Sequence, residues 1–151
     1  MKRACLFTIL LCWIVLLPSF SQSTPTATLE IKFTGIRNQK GLIGIGINSS
    51  PEGWPRKPEL EPNWKKSDVV DGVFTVRVEN LTYGTYAVSV LDDENSNLEM
   101  DMFMGIPKEG FGFSNNARVG LSPPKFEECS FKLDQAYKQI TIDLRYMGKD
   151  E

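Results

Sequence analysis

Apolar and polar residues alternate with a period of two through most of the chain after about residue 24, the pattern of half-buried strands. Leu29, Ile31 and Phe33 alternate with Glu30, Lys32 and Thr34. Gly35 to Gly41 then turns into Leu42-Ile43-Gly44-Ile45-Gly46-Ile47, so the two runs predict a first hairpin. Asp71-Gly72, between Asp68-Val69-Val70 and Val73 to Val78, is the two-residue signature of a type I′ turn. Tyr86, Val88 and Val90 share one face of a strand over Thr85 to Leu91, and the last strands are expected over Phe126 to Leu133 and Gln139 to Tyr146. Helical periodicity and internal repeats are absent. About seven short strands separated by turn signals predict an all-β fold, a single antiparallel β-sandwich over residues 24–151.

Two connections are too long for turns. Residues 49–66 carry Pro51, Pro55, Pro58 and Pro62 with Trp54 and Trp64, and the second connection runs from Asp92 to about Lys125. Such loops in a compact domain are usually functional or disordered, and the aromatic residues in both argue for order.

The first residues read differently. Lys2 and Arg3 precede an apolar run from Ala4 to Leu17, which Pro18 ends. Residues 1–23 therefore have the form of a signal peptide, the run being shorter than the roughly 20 residues that span a bilayer. No second apolar span follows, so the mature chain is expected to be exported, periplasmic or extracellular, without a membrane span. Its 15 basic and 19 acidic residues give a formal charge of −4, and no basic face is visible for nucleic acid.

The 151 residues include no histidine, which excludes Ser-His-Asp and Cys-His nucleophile pairs and His-ligated metals, and favours a protein that is not an enzyme. Cys129 is the one cysteine after residue 23, so no intramolecular disulfide can form. On a strand it shares a face with Phe131 and Leu133, as a small core residue.

The candidate chemistry lies in Asp92-Asp93-Glu94-Asn95-Ser96-Asn97-Leu98-Glu99-Met100-Asp101. Asp93, Asn95, Asn97 and Asp101 occupy positions one, three, five and nine of a loop counted as in an EF-hand, and Glu99 adds a backbone carbonyl. Calcium, which accepts carboxylates, carboxamides and carbonyls, is the cofactor this set suits. Leu98 stands where such a loop wants glycine, and Met104 where it wants a bidentate Glu. The alternative is an Asx-turn surface loop. The carboxylates also admit a glycosidase-like hydrolase, which their packing on one exposed turn disfavours. Trp54 and Trp64 offer a metal-independent site for a carbohydrate or protein partner, or else plug the sandwich. Gly110 and Gly112 are expected in tight turns, with Phe111 and Phe113 covering one end of the sandwich.

Gly84 to Val90, the Asp93-x-Asn95-x-Asn97-x-x-x-Asp101 run, Gly105 to Glu109, Gly112 to Asn116 and Pro123-Pro124-x-Phe126 together resemble the bacterial family known as domain of unknown function 2141. The resemblance implies an exported β-sandwich from about Leu29 to Tyr146, with no assigned activity. The family pattern has glycine where this chain has Leu98, which weakens the calcium reading here. Gly84-Thr85-Tyr86 is also similar to the strand opening of transthyretin-like and carboxypeptidase regulatory-like sandwiches, which implies a binding or interaction module.

Overall fold

A computed structural model describes residues 24–120 and 122–147; the signal peptide expected over residues 1–23 lies outside them. The strands are β1 (Thr26–Thr34), β2 (Leu42–Asn48), β3 (Asn63–Lys65), β4 (Phe74–Thr82), β5 (Gly84–Asp93), β6 (Met102–Phe103), β7 (Ile106–Pro107), β8 (Gly110–Phe113), β9 (Phe131–Leu133) and β10 (Tyr137–Asp143), with one helical turn, α1 (Phe126–Cys129). Three strands form one sheet in the order β10-β1-β4, and the larger sheet runs β3-β2-β5-β8 with β9 also on β5. β6 and β7 make a separate hairpin. The all-β sandwich is thus present, with more strands than the pattern suggested because both long connections carry short ones.

The alternation decides which face of each strand is buried. Leu29, Ile31 and Phe33 of β1, Ile43, Ile45 and Ile47 of β2 and Tyr86, Val88 and Val90 of β5 meet in one core with Phe74, Val76, Leu133 and Ile142. The opposite face of the smaller sheet is polar, with Glu30 accepting from Arg77 Nε at 2.7 Å and from Gln139 at 2.7 Å.

Four expectations need correction. β1 and β2 do not pair; β1 lies between β4 and β10 while β2 lies between β3 and β5, so residues 35–41 carry the chain across the sandwich. Both strands bury one face, a requirement that opposite sheets meet as well as a hairpin does. β1 and β10 are parallel, against the antiparallel expectation, because alternation carries no strand direction. Phe126 to Leu133 is not one strand: Phe126 and Cys129, three apart, share a helical face, and only then does β9 begin. Cys129 is buried, with Phe111, Phe113, Phe126 and Ala87 in a second apolar cluster separate from the core that holds Leu133. Finally, Gly110 and Gly112 lie within β8, where a Cβ would stand 2.4 Å from Tyr146 Cε1 or 2.7 Å from Ile142 Cγ2. The glycines admit these neighbours, and Phe111 and Phe113 point to the other face. The Asp71-Gly72 turn is as expected, with positive φ at both residues and hydrogen bonds exchanged between Val70 and Val73.

Candidate apolar cavity and acidic loop

The outer face of the larger sheet is where the pattern leaves apolar surface unused. Two cross-strand rows form its floor: Asn63, Gly44, Leu91 and Phe111 on β3, β2, β5 and β8, and Gly46, Ser89 and Phe113 on β2, β5 and β8. The glycines of β2 alternate with inward isoleucines, so the floor drops where side chains would stand. At Gly46 the space is taken, since a Cβ would come within 3.0 Å of Pro58 and 2.7 Å of Ser89 Oγ. At Gly44 it is open, with nothing within 4 Å. The resulting cavity, of about 810 Å³, is walled by Pro55, Pro58, Leu98, Met100, Met102 and Ile106, with Arg56 at the proline side.

The proline-rich segment is held down as one wall. Ile45 and Ile47 donate backbone N–H to Pro62 and Leu60 at 3.0 Å each, and Asn48 Nδ2 reaches the carbonyls of Glu52 and Lys57. The facing wall is the β6–β7 hairpin, which carries exposed apolar groups: Phe103 is 65% and Met104 87% exposed. Methionine here supplies flexible, polarizable contact.

The acidic loop forms the end of the same cavity, through Asp93 and Leu98. Its side chains converge as the spacing suggested. Asn95 and Asn97 donate Nδ2 to the two oxygens of Asp101 at 2.7 and 3.2 Å. Buried Asp93 accepts from the amides of Asn97 and Leu98 at 3.1 and 2.8 Å, while Asn95 and Asn97 Oδ1 accept from the amides of Asn97 and Glu99. Leu98 takes φ +63°, the left-handed conformation that glycine would favour there. Glu99 itself points to solvent. Among the described residues, no group of three or more His, Cys, Asp or Glu side chains is placed to hold a metal ion.

Glu109, 4% exposed, clasps the two ends of this loop by accepting from the amides of Glu94 and Asp101 at 3.0 and 3.2 Å. Burial pushes its carboxyl above the usual range, against the two amides that favour the anion.

Beneath the loop, on the inner side of β5, lies an ionic cluster. Lys66 Nζ donates to Asp92 Oδ1, the Tyr146 hydroxyl donates to Asp92 Oδ2, and Lys66 also reaches Asn38 Oδ1 at 3.3 Å. Both charged side chains are fully buried. Burial raises the Asp92 carboxyl against the opposing pull of Lys66 and Tyr146, and burial together with Asp92 pushes the Tyr146 phenol up. Nearby, Arg37 bonds Glu94 through Nε at 2.5 Å and stacks 4.6 Å over the Tyr146 ring. Burial pushes the Glu94 carboxyl up, but Arg37 and Asn38 outweigh it and hold the group low.

With this geometry in view, the model of the family described as "Uncharacterized protein conserved in bacteria (DUF2141)" matches residues 31–141, most of the chain. The chain belongs to that family. No curated protein and no solved structure matches it. The range that matches the DUF2141 model holds the whole cavity floor, the acidic loop and Glu109, and stops short of Tyr146.

In this DUF2141 sandwich the two tryptophans do not share a surface. Trp54 donates Nε1 to the Pro124 carbonyl at 2.9 Å and lies edge-on to Phe113 and Phe126, in the outer cluster. Trp64, opposite Ile43, packs against the inner core. The cavity was missed by sequence reasoning, although its signal was there in the outward glycines of Ile43 to Ile47. The Lys66–Asp92 contact had no sequence signal, since the partners lie 26 positions apart.

Proposed function

We propose that this protein is a non-catalytic binding module that takes an apolar small molecule into the cavity on its larger sheet. The observation carrying the reading is Gly44, at the bottom of the cavity with open space over its Cα and Leu91, Phe111, Met100 and Ile106 around it. Ligand sites are commonly apolar concavities of about 300–1,000 Å³ with few polar groups, and this one falls inside that range. The separation of Trp54 from Trp64 favours this ligand class over a sugar stacked between them. Expulsion of water from the floor and contact with Met100, Met102 and Ile106 would supply the binding energy.

The test is titration of the chain from residue 24 with an anilinonaphthalene sulfonate dye. The wild type binds saturably with enhanced fluorescence, and Gly44→Phe, whose ring occupies the cavity, loses at least about tenfold in affinity, some 1.4 kcal/mol, with its melting temperature maintained. Absence of saturable binding, or equal binding by the variant, sinks the proposal.

Calcium in the acidic loop is a second proposal, favoured by the convergence of Asp93, Asn95, Asn97 and Asp101. Occupancy requires the amides of Asn95 and Asn97 to turn, so that oxygen replaces nitrogen beside Asp101. At about 2 mM calcium, a site with a dissociation constant of roughly 10⁻⁴ M adds about 1.8 kcal/mol of stability. Melting with calcium and with chelator, in the wild type and in Asp93→Asn with Asp101→Asn, decides it: identical midpoints overturn the calcium reading and leave the loop to its Asx bonds and Glu109.

A further inference from the structure

The binding reading makes no use of a charged pair that is fully buried among the described residues. Lys66 begins the short 3-10 turn after β3, and Asp92 lies near the end of β5, with β2 between the two strands. Trp64, Ile43 and Asp92 form one inward row across these strands, which places Lys66, two residues on, over the Asp92 carboxyl. An amine and a carboxyl group are thus in direct contact with no exposure to solvent. Each is also held from behind, the amine by Asn38 Oδ1 and the carboxyl by the Tyr146 hydroxyl on the oxygen that Lys66 does not touch.

We infer that Lys66 and Asp92 condense into an intramolecular isopeptide bond. A proton passes from the Lys66 ammonium to Asp92 Oδ1 along the hydrogen bond that joins them. The freed Nζ lone pair adds to Cγ, and Oδ2 takes up the negative charge beneath the Tyr146 hydroxyl. A second proton moves from Nζ to Oδ1, the Cγ–Oδ1 bond breaks, and Oδ1 leaves as water while Oδ2 becomes the amide oxygen. One C–N bond forms, one water is released, and nothing is oxidised or reduced, so no co-reactant is needed.

Condensation of an amine with a carboxylate is unfavourable in bulk water, and the site opposes each reason for that. The reactants are pre-positioned at contact, which replaces a bimolecular encounter. A fixed donor faces the oxygen on which charge develops. The closed surroundings deny water the return reaction. The bond would tie the turn after β3 to β5 and close a loop that contains β4, in a chain whose one cysteine after residue 23 leaves no disulfide available.

Intact-mass measurement of the purified chain from residue 24, followed by proteolysis, tests the assignment directly. The wild type is lighter than its sequence by one water and yields a branched peptide that joins the segments holding Lys66 and Asp92. Lys66→Met has the full sequence mass, and Tyr146→Phe shows a smaller cross-linked fraction after the same time. A wild type of full mass after prolonged incubation overturns the inference and leaves a buried ion pair. A deficit without the branched peptide overturns it equally, since the water was then lost elsewhere.

Discussion

Gly44 of β2 stands opposite Leu91 of β5, and the leucine side chain faces the open space that the glycine leaves above it. Other glycines in or beside the same sheet, Gly46 and Gly41 among them, have no such space. Gly41 has φ +75°, and a Cβ on it would lie 1.9 Å from the Asp93 carbonyl oxygen.

Gly41→Ala should therefore destabilise the fold by roughly 2–5 kcal/mol, the joint effect of a left-handed alanine and a backbone clash. Gly44→Ala should change stability by less than about 0.5 kcal/mol, as a substitution into open space does. Denaturant melts of the two variants make the comparison, and equal losses would mean that the floor at Gly44 is closed.

Ser114 ties the outer cluster to β5. Its buried hydroxyl accepts from the Val88 amide at 2.9 Å and donates to the Cys129 carbonyl at 2.6 Å. Ser114→Ala leaves both backbone groups without this partner and should cost about 1–3 kcal/mol. A variant as stable as the wild type would show that water replaces the hydroxyl.

Glu109 predicts a pH dependence. Its carboxyl is raised in the folded protein, so the native state holds this proton at a pH where the unfolded chain has released it. The resulting stability is complete below the ordinary carboxylate value and is lost as pH rises through the raised one. Glu109→Gln should remove that decline from the stability profile as pH rises above the ordinary carboxylate value of about 4.3. Gln also presents one donor where two amides need acceptors, so the acidic loop should exchange its Glu94 and Asp101 amides faster. An unchanged slope in the variant would assign the dependence to another group.

Cys129 should be inert in the native protein. Burial, with Glu128 adding to it, pushes its thiol up to about 12, so almost no thiolate exists at neutral pH. Thiol reagent added to the chain from residue 24 should label it only after unfolding, with one equivalent taken up. Rapid labelling of the native state would show that α1 opens.

Much of this was legible in single residues. The alternation of Ile43, Ile45 and Ile47 with Gly44 and Gly46 fixed which face of β2 is buried, and the Asp71-Gly72 pair fixed its turn, because both are local consequences of backbone geometry. The acidic spacing likewise brought Asp93, Asn95, Asn97 and Asp101 together. Cys129 was legible as buried but not as helical, since Phe126 and Cys129 fit either period over so short a run.

What the sequence by itself determined was the all-β class, the inward face of most strands and the family. Only the tertiary structure decided that β1 and β2 belong to opposite sheets, that β10 runs parallel to β1, that the glycine face of β2 is roofed into a cavity, and that Lys66 meets Asp92. The physical reason is range. Strand periodicity is written in neighbours two residues apart, whereas sheet partner, strand direction and buried charge pairing depend on contacts between distant segments, which the local pattern permits in several arrangements.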